Sequence, residues 1–345
     1  MVLKTLRHVA APGGAPLTVR EDKLVAQDGR SYDVLNGTPH LYDRSAVSPF
    51  LAKDYDIFKM IHERPDIRSP DHDTITAIYQ KAKYVNTEFM FSAIRYKGLE
   101  HRAVVEIGVG SADLIKRWAD LAGDAYAVDF FTWEMEAGLA KHVAAGGKPF
   151  HGVSAVMAAL PFASNAVDIV YLHAALHHAL PADPAEFEWS NPAVMVDCLK
   201  EIRRILKPDG VFFLTGEGIY PEGVAPDQRE HEVRCQAHSG YPYEAHYTIS
   251  EYESAFRAAD MFPHVFVHQE GLQLVMDFYV DGQAHCIISA VDQVGADNYD
   301  CVGSLVNART SSRLLKRFPS WMSWQGADDE EGFSVAKLVR RLFRV

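Results

Sequence analysis

The chain has 345 residues, with 46 acidic against 34 basic side chains and a net charge of −12 at neutral pH. That length buries one substantial core with flanking segments, and the acidic surplus repels polyanions, which disfavours nucleic acid as a partner. Four scattered cysteines, Cys198, Cys235, Cys286 and Cys301, contain no Cys-x-x-Cys pair, so neither a disulfide framework nor a thiolate zinc site is indicated.

No stretch approaches the ~20 apolar residues of a membrane span, and Pro12-Gly13-Gly14 interrupts the amino terminus before a signal-length apolar run. A cytoplasmic protein is expected. Residues 16–43 alternate apolar and polar positions and turn at Asp28-Gly29 and Asn36-Gly37; both dipeptides tolerate positive φ, so a small β appendage is predicted within residues 1–50. Residues 51–99 carry helical spacing at Ile75, Ile78 and Tyr79 and again at Tyr84, Phe89 and Phe91, a helical lead-in that Pro65 and Pro70 divide.

From residue 100 the pattern alternates strand and helix. Strands are predicted at 103–107, 125–129, 149–153, 167–172 and 211–215, followed by 264–268 and 284–291, which makes an α/β, Rossmann-like, doubly wound sheet over residues 100–292. Between its later strands, residues 217–247 are rich in Gly, Pro, His and Tyr and too long for an ordinary connection, as an insert over a substrate site would be. Helix resumes at 250–260, with Ser250 as cap and Glu253 at the capping-box offset. Residues 293–345 form a C-terminal extension that ends in a helix at 334–343, whose apolar stripe suits packing and whose basic residues suit solvent.

The chemistry concentrates where the first of these strands, ending in Glu106-Ile107, runs into Gly108-Val109-Gly110-Ser111-Ala112, with Asp129 closing the next strand. Glycines after a buried strand let a ligand approach the main chain, and a strand-end carboxylate accepts hydrogen bonds from ribose hydroxyls. A dinucleotide would press its diphosphate against Asp113, which argues against a nicotinamide-dependent oxidoreductase. A cationic nucleoside without phosphates, S-adenosylmethionine, meets no such conflict, and Phe130 offers a ring for its adenine.

The run from Glu106 to Ala112 resembles the first motif of class I S-adenosylmethionine-dependent methyltransferases. Further segments fall in that family's order: Leu160-Pro161-Phe162 before 166–170, then Ala175-Leu176-His177-His178, then Leu199 to Gly210 before the strand at 211. The resemblance covers about residues 100–216 and implies a seven-stranded sheet whose last strand is antiparallel. It implies cofactor contacts at Glu106, Gly108, Val109, Gly110, Asp129, Phe130, Met157, Ala158 and His173, with S-adenosylhomocysteine as product. Two positions depart from the family pattern: Ala112 stands where a third glycine is frequent, and Val156 where many members carry an adenine-binding aspartate. Residues 24–39 also resemble the second half of a Trm112-like module, without its zinc-binding cysteines, and an ordinary hairpin is the competing reading.

His173, His177 and His178 follow a strand's carboxyl end, the rim at which open sheets bind ligands. Packing and capping, general-base catalysis at His177 or His178, and metal ligation with help from Asp183, His238 or His246 all remain open; no spacing demands a metal. His173 and His177 would share a helix face if the helix has begun there. Tyr220, His238, Tyr243 and His246 of the insert suit a polar, hydroxylated acceptor. The function expected is methyl transfer to a small-molecule or glycan acceptor, with oxygen favoured. An RNA methyltransferase and a non-catalytic scaffold that keeps the fold are the alternatives, and a homodimer is left open.

Overall fold

The computed structural model describes residues 7–20, 23–42, 94–95, 99–179, 192–217, 245, 247–269, 284–290 and 323–324, with single positions at 188, 225 and 227. Nearly all of the predicted helical lead-in and of the 217–247 insert, and the C-terminal helix, lie outside the described residues; Ile94–Arg95, within the lead-in, form a short strand paired with Ser323–Trp324.

Four short strands, β1 (Leu17–Arg20), β2 (Lys23–Ala26), β3 (Ser31–Leu35) and β4 (Thr38–Pro39), form an antiparallel meander near the amino terminus. Its two Gly-containing turns lie where the dipeptides predict them. Asn36 and Gly37 both take positive φ, 51° and 84°, the type I′ combination whose twist matches that of the flanking strands. Leu24, Ala26 and Tyr32 face inward from this unit and join the main core.

The main sheet begins with β5 (Ala103–Ile107) and continues through β6 (Asp124–Asp129), β7 (His151–Ser154), β8 (Val167–His173), β9 (Leu206–Glu217), β10 (Phe262–Gln269) and β11 (Ala284–Ala290). The spatial order is β10-β11-β9-β8-β5-β6-β7. Strands β7, β6, β5, β8 and β9 run parallel, while β11 is antiparallel to both of its neighbours. Every residue of β5 and of β8 is buried, as continuous apolar runs require when both faces of a parallel sheet are covered. Because side chains alternate along a strand, Val105, Ile107, Val170, Leu172, Phe212 and Leu214 enter one core while Val104, Ile169, Tyr171, Val211 and Phe213 enter the other.

Helix α1 (Ile115–Leu121) puts Trp118 into the second core, and α2 (Thr132–Ala144) follows β6. Helix α3 (Ala193–Ile205) buries Met195, Cys198, Leu199, Ile202 and Ile205, an i, i+3, i+4 stripe on the opposite face of the sheet. Cys198 is an inert core thiol there, pushed up to about 12 by burial. Helix α4 (Ile249–Ala258) packs beside α3.

Several boundaries differ from the sequence expectations. β7 starts two residues later than predicted, and β9 reaches back to Leu206, with an irregularity between Leu206 and Val211. Helix α4 is capped by Thr248, not Ser250, and the capping box closes through Glu251, not Glu253. Thr248 and Ser250 both suit a cap, and the box partner three residues on is acidic in either frame; the residue that turns extended, Thr248, decides it.

Ion pairs and main-chain contacts pin the far side of the domain. Buried Asp168, at the amino end of β8, accepts from Arg102, Lys207 and the Ala103 amide at 3.0, 2.8 and 2.9 Å. Arg204 of α3 donates to the carbonyls of Leu160 and Phe162, while its neighbour Glu201 accepts from the Leu160 amide. The Leu160-Pro161-Phe162 segment is therefore a splice between β7 and α3.

The amino-terminal unit closes the β7 edge. His40 forms a parallel bridge to Ser154, and the Leu41 amide donates to the Ser154 carbonyl at 2.8 Å. An edge strand otherwise presents unpaired amides and carbonyls. Val9 forms an antiparallel bridge to Phe162, and the Ala10 amide donates to the Pro161 carbonyl.

Candidate functional site

The carboxyl ends of β5, β6, β8 and β9 form one rim, and the turn after β5 crosses it. Gly108 and Gly110 take φ of 71° and 50°, a region in which any L residue is strained. Space matters as much as conformation at Gly108: a Cβ there would lie 2.5 Å from the Ala175 Cβ. The glycine turn therefore touches the loop that carries His177. Behind the turn, a Cβ on Gly138 of α2 would come within 2.6 Å of the Ser111 carbonyl, so the middle of that helix braces the glycine segment. Val109 buries its side chain completely in the second core, which leaves its main chain as the part that faces the rim.

Asp129 ends β6 as the sequence predicts. Its Oδ2 accepts from the Gly110 amide at 2.9 Å and its Oδ1 from the Phe131 amide at 2.8 Å. Burial raises its pKa to about 6; the Gly110 and Phe131 amides oppose that shift without cancelling it, and Glu134 adds to it. Phe130 follows, half-buried, and the Ser154 hydroxyl donates to its carbonyl at 3.3 Å. Met157 and Ala158 form a 3₁₀ turn directly after β7. Glu106 is completely buried within β5.

Asp113, whose charge weighs against a diphosphate, accepts from the Ser111 hydroxyl and from Lys116 at 2.6 and 3.1 Å. The lysine offsets part of that charge, so the discrimination against phosphates is weaker than the bare sequence suggests.

The histidine segment departs from the expected geometry. His173 is the last residue of β8, and His177 and His178 lie in a single 3₁₀ turn, so His173 and His177 share no helix face. A left-handed Ala174, φ 48°, breaks the chain between them. His173 is tied through Nδ1 to the Thr215 hydroxyl at 2.7 Å, and the Tyr171 hydroxyl meets the same oxygen at 2.8 Å.

His177 has a partner that sequence reading did not name. Glu217, at the end of β9 and 2 % exposed, accepts from the Ala175, Leu176 and His177 amides at 2.9, 2.9 and 3.2 Å and from His177 Nδ1 at 2.8 Å. Burial alone would raise the Glu217 pKa, but the His177 charge and hydrogen bond and the loop amides outweigh it and hold the carboxyl below its usual range. With the proton on Nδ1, the basic nitrogen of His177 is Nε2. The His178 ring lies 4.4 Å from that of His177, centroid to centroid.

Tyr220, His238, Tyr243 and His246, the predicted acceptor contacts, lie outside the described residues, as does Asp183. Among the described residues, no cluster of three or more His, Cys, Asp or Glu side chains is arranged to hold a metal ion.

Residues 105–214 match the family described as a methyltransferase domain. That match agrees with the resemblance of the glycine motif to a methyltransferase. Solved structures similar to it include the YcgJ protein of Bacillus subtilis, at 15 % identity over 61 % of this chain and 99 % of that one, with a TM-score of 0.45. Another is the geranyl diphosphate C-methyltransferase of Streptomyces coelicolor, crystallised with S-adenosylhomocysteine, at 16 % identity over 65 % and 86 % with a TM-score of 0.47. A third is a chain from the complex of the Haloferax volcanii Trm112 methyltransferase activator with a candidate methyltransferase, at 16 % over 70 % and 97 % and a TM-score of 0.47. No curated protein matches the sequence of this chain. Among the described residues no helix is long and apolar enough to cross a membrane.

The rim fits the cofactor on its own geometry. The turn leaves room over Gly110, where a Cβ would meet nothing nearer than the Glu134 carboxylate at 3.9 Å, so a methionine moiety can approach the main chain there, and a buried carboxylate one strand away suits ribose hydroxyls.

Proposed function

We propose that the methyltransferase domain acts on a hydroxyl of a small polar acceptor, a sugar or a phenolic metabolite, with His177 as general base and Glu217 as the group that orients it. One observation carries this reading: a buried carboxylate–imidazole pair on the loop that touches the glycine turn. When bound, S-adenosylmethionine supplies an electrophilic methyl group on a sulfonium. The main chain of Gly108, Val109 and Gly110 would hold its amino-acid end, Asp129 its ribose, and Phe130, Met157 and Ala158 its adenine, with Glu106 and His173 shaping the floor.

The protein's part is alignment and proton removal. His177 Nε2 would accept the proton of the acceptor hydroxyl as the methyl group, released from the sulfonium, passes to the acceptor oxygen. Glu217 keeps the imidazole in the required tautomer and offsets the positive charge that proton brings. We read the four amino-terminal strands, which pack on the sheet edge, as a cysteine-free docking module of the Trm112-like kind. We divide the chain accordingly into that module (1–50), a lead-in (51–99), the methyltransferase domain (100–292) and an extension (293–345).

Radiolabelled methyl transfer from S-adenosylmethionine to a panel of sugars and phenols, with unstructured RNA alongside, tests the proposal. Incorporation into a hydroxyl that falls at least a hundredfold in His177→Ala is the expected result. Label in RNA alone, or small-molecule transfer indifferent to His177→Ala, overturns it.

A further inference from the structure

We propose that Tyr42, delivered by the amino-terminal β unit, forms with Phe130 an aromatic wall against which the adenine of the cofactor stacks. The appendage is then part of the cofactor site, a conclusion that rests on the cofactor placement proposed above.

The direction of the nucleoside follows from the two ends of the rim. Methyl transfer requires the sulfonium to face the acceptor, and the base-bearing loop lies over β8 and β9. Asp129 ends β6, on the other side of β5. A nucleoside whose ribose reaches Asp129 therefore points its purine away from β8, over the carboxyl end of β7. That strand is the last of the sheet, and its outer edge is taken by residues 40 and 41.

Tyr42 is the next residue, and its ring centroid lies 5.1 Å from that of Phe130 at an interplanar angle of 55°. Both rings are only partly buried, as a surface that receives a ligand must be. The position of Tyr42 is fixed by a ladder, not by a loose end. Leu41 before it is completely buried and hydrogen-bonded to Ser154, and His40 is bridged to the same residue. Ser154 in turn donates to the Phe130 carbonyl, and the Ala155 amide donates to the Asp129 carbonyl. One short run of contacts thus couples residues 40–42 to the strand end that carries the ribose-binding carboxylate.

The chemistry suits a purine, since an aromatic face binds a base by stacking with little demand on its edge groups. It also addresses the departure at Val156, where an adenine-binding aspartate is missing: a second ring supplies affinity that an edge contact does not.

Calorimetry on the full-length chain decides the matter, with S-adenosylhomocysteine and adenosine as ligands and Tyr42→Ala, Tyr42→Leu and Tyr42→Phe as variants. Wild type binds both; Tyr42→Ala and Tyr42→Leu weaken both by about tenfold, in the range of a lost base–aromatic stack, and Tyr42→Phe restores them. Tyr42→Leu keeps the apolar bulk of the junction, so it reports on stacking even if Tyr42→Ala unfolds. Wild-type affinity in Tyr42→Leu, or a loss confined to S-adenosylhomocysteine with adenosine unaffected, overturns the inference. Failure of the wild type to bind S-adenosylhomocysteine at all overturns instead the cofactor placement on which it stands.

Discussion

Two buried carboxylates stand on the same rim and are set in opposite directions. Asp129, on the β6 side, is raised to about 6 because burial exceeds what the Gly110 and Phe131 amides return. Glu217, on the β9 side, is just as buried, yet is held below its usual range because an imidazole joins three loop amides around it. Amides alone leave a carboxylate short of hydrogen bonds, so Asp129 is poised to accept more from neutral hydroxyls. Glu217 already has its charge matched, and its work is to hold a neighbour. The contrast with Asp168 at the other end of the sheet sharpens this: there Arg102 and Lys207 complete the carboxylate, and the cluster serves the fold.

The largest effect is expected where that matching is removed. Glu217→Gln keeps the shape and one amide-accepting oxygen but gives up the charge facing His177. Methyl transfer at saturating substrate should fall by about a hundredfold, the usual scale of general-base catalysis, while S-adenosylhomocysteine affinity stays within about twofold. The variant should also lose an acid-sensitive component of stability. A carboxyl held below its ordinary value favours the fold above that value, and the contribution disappears as pH falls through the folded one. Thermal melts from pH 7 to pH 3 should therefore decline less steeply in the variant than in wild type. Equal loss of cofactor binding and turnover would show that the two halves of the rim do not divide their roles.

Asp129 should respond to pH with the reverse sign and a smaller amplitude. Its ordinary value of 3.8 rises to about 6 in the fold, so this group favours the folded state most at low pH, and that advantage is lost as pH climbs through about 6. Ribose hydroxyls, which donate, need the carboxylate form. At pH 5 only about a tenth of the groups carry it, so cofactor affinity should be about tenfold weaker at pH 5 than at pH 7.5. Asp129→Asn should bind more weakly at pH 7.5 and show a flat profile. Calorimetric titrations at the two pH values measure it; a variant that retains the full pH dependence assigns the titration to another group.

Much of this arrangement is legible in the sequence, and the illegible part has physical causes. The strands at 103–107 and 167–172 stand out because they are buried on both faces and read as unbroken apolar runs. Asp129 stands out because it ends such a run. Glu217 does not, since its meaning depends on residues forty positions earlier, and only the parallel pairing of β8 with β9 brings Thr215 beside His173 and Glu217 beside the next loop. A carboxylate two residues past the predicted strand at 211–215, and in fact the last residue of β9, is a weak signal of that partnership. Tyr42 was out of reach for a similar reason: the hairpin turns are local, whereas docking on the β7 edge is a tertiary choice. The histidine pair misled because i, i+4 spacing predicts a shared face only inside a helix, and a left-handed Ala174 intervenes.

The smallest expected effect concerns Ala112, which ends the glycine turn on the Asp129 side. Its φ of 60° costs an alanine about 1 kcal/mol. A glycine there relieves that strain but gives up a fully buried methyl, about 0.8 kcal/mol, and pays unfolded-state entropy of about 0.5–1 kcal/mol. Ala112→Gly should therefore destabilise the protein by less than about 1 kcal/mol, measured by urea denaturation. Cofactor affinity discriminates what a glycine would be for at this position. Affinity unchanged from wild type means that the turn asks only for a left-handed backbone, which alanine already supplies under strain. Tighter binding in the glycine variant would instead mean that the methyl crowds the ligand, and that the β6 side of the rim trades affinity for packing against Gly138.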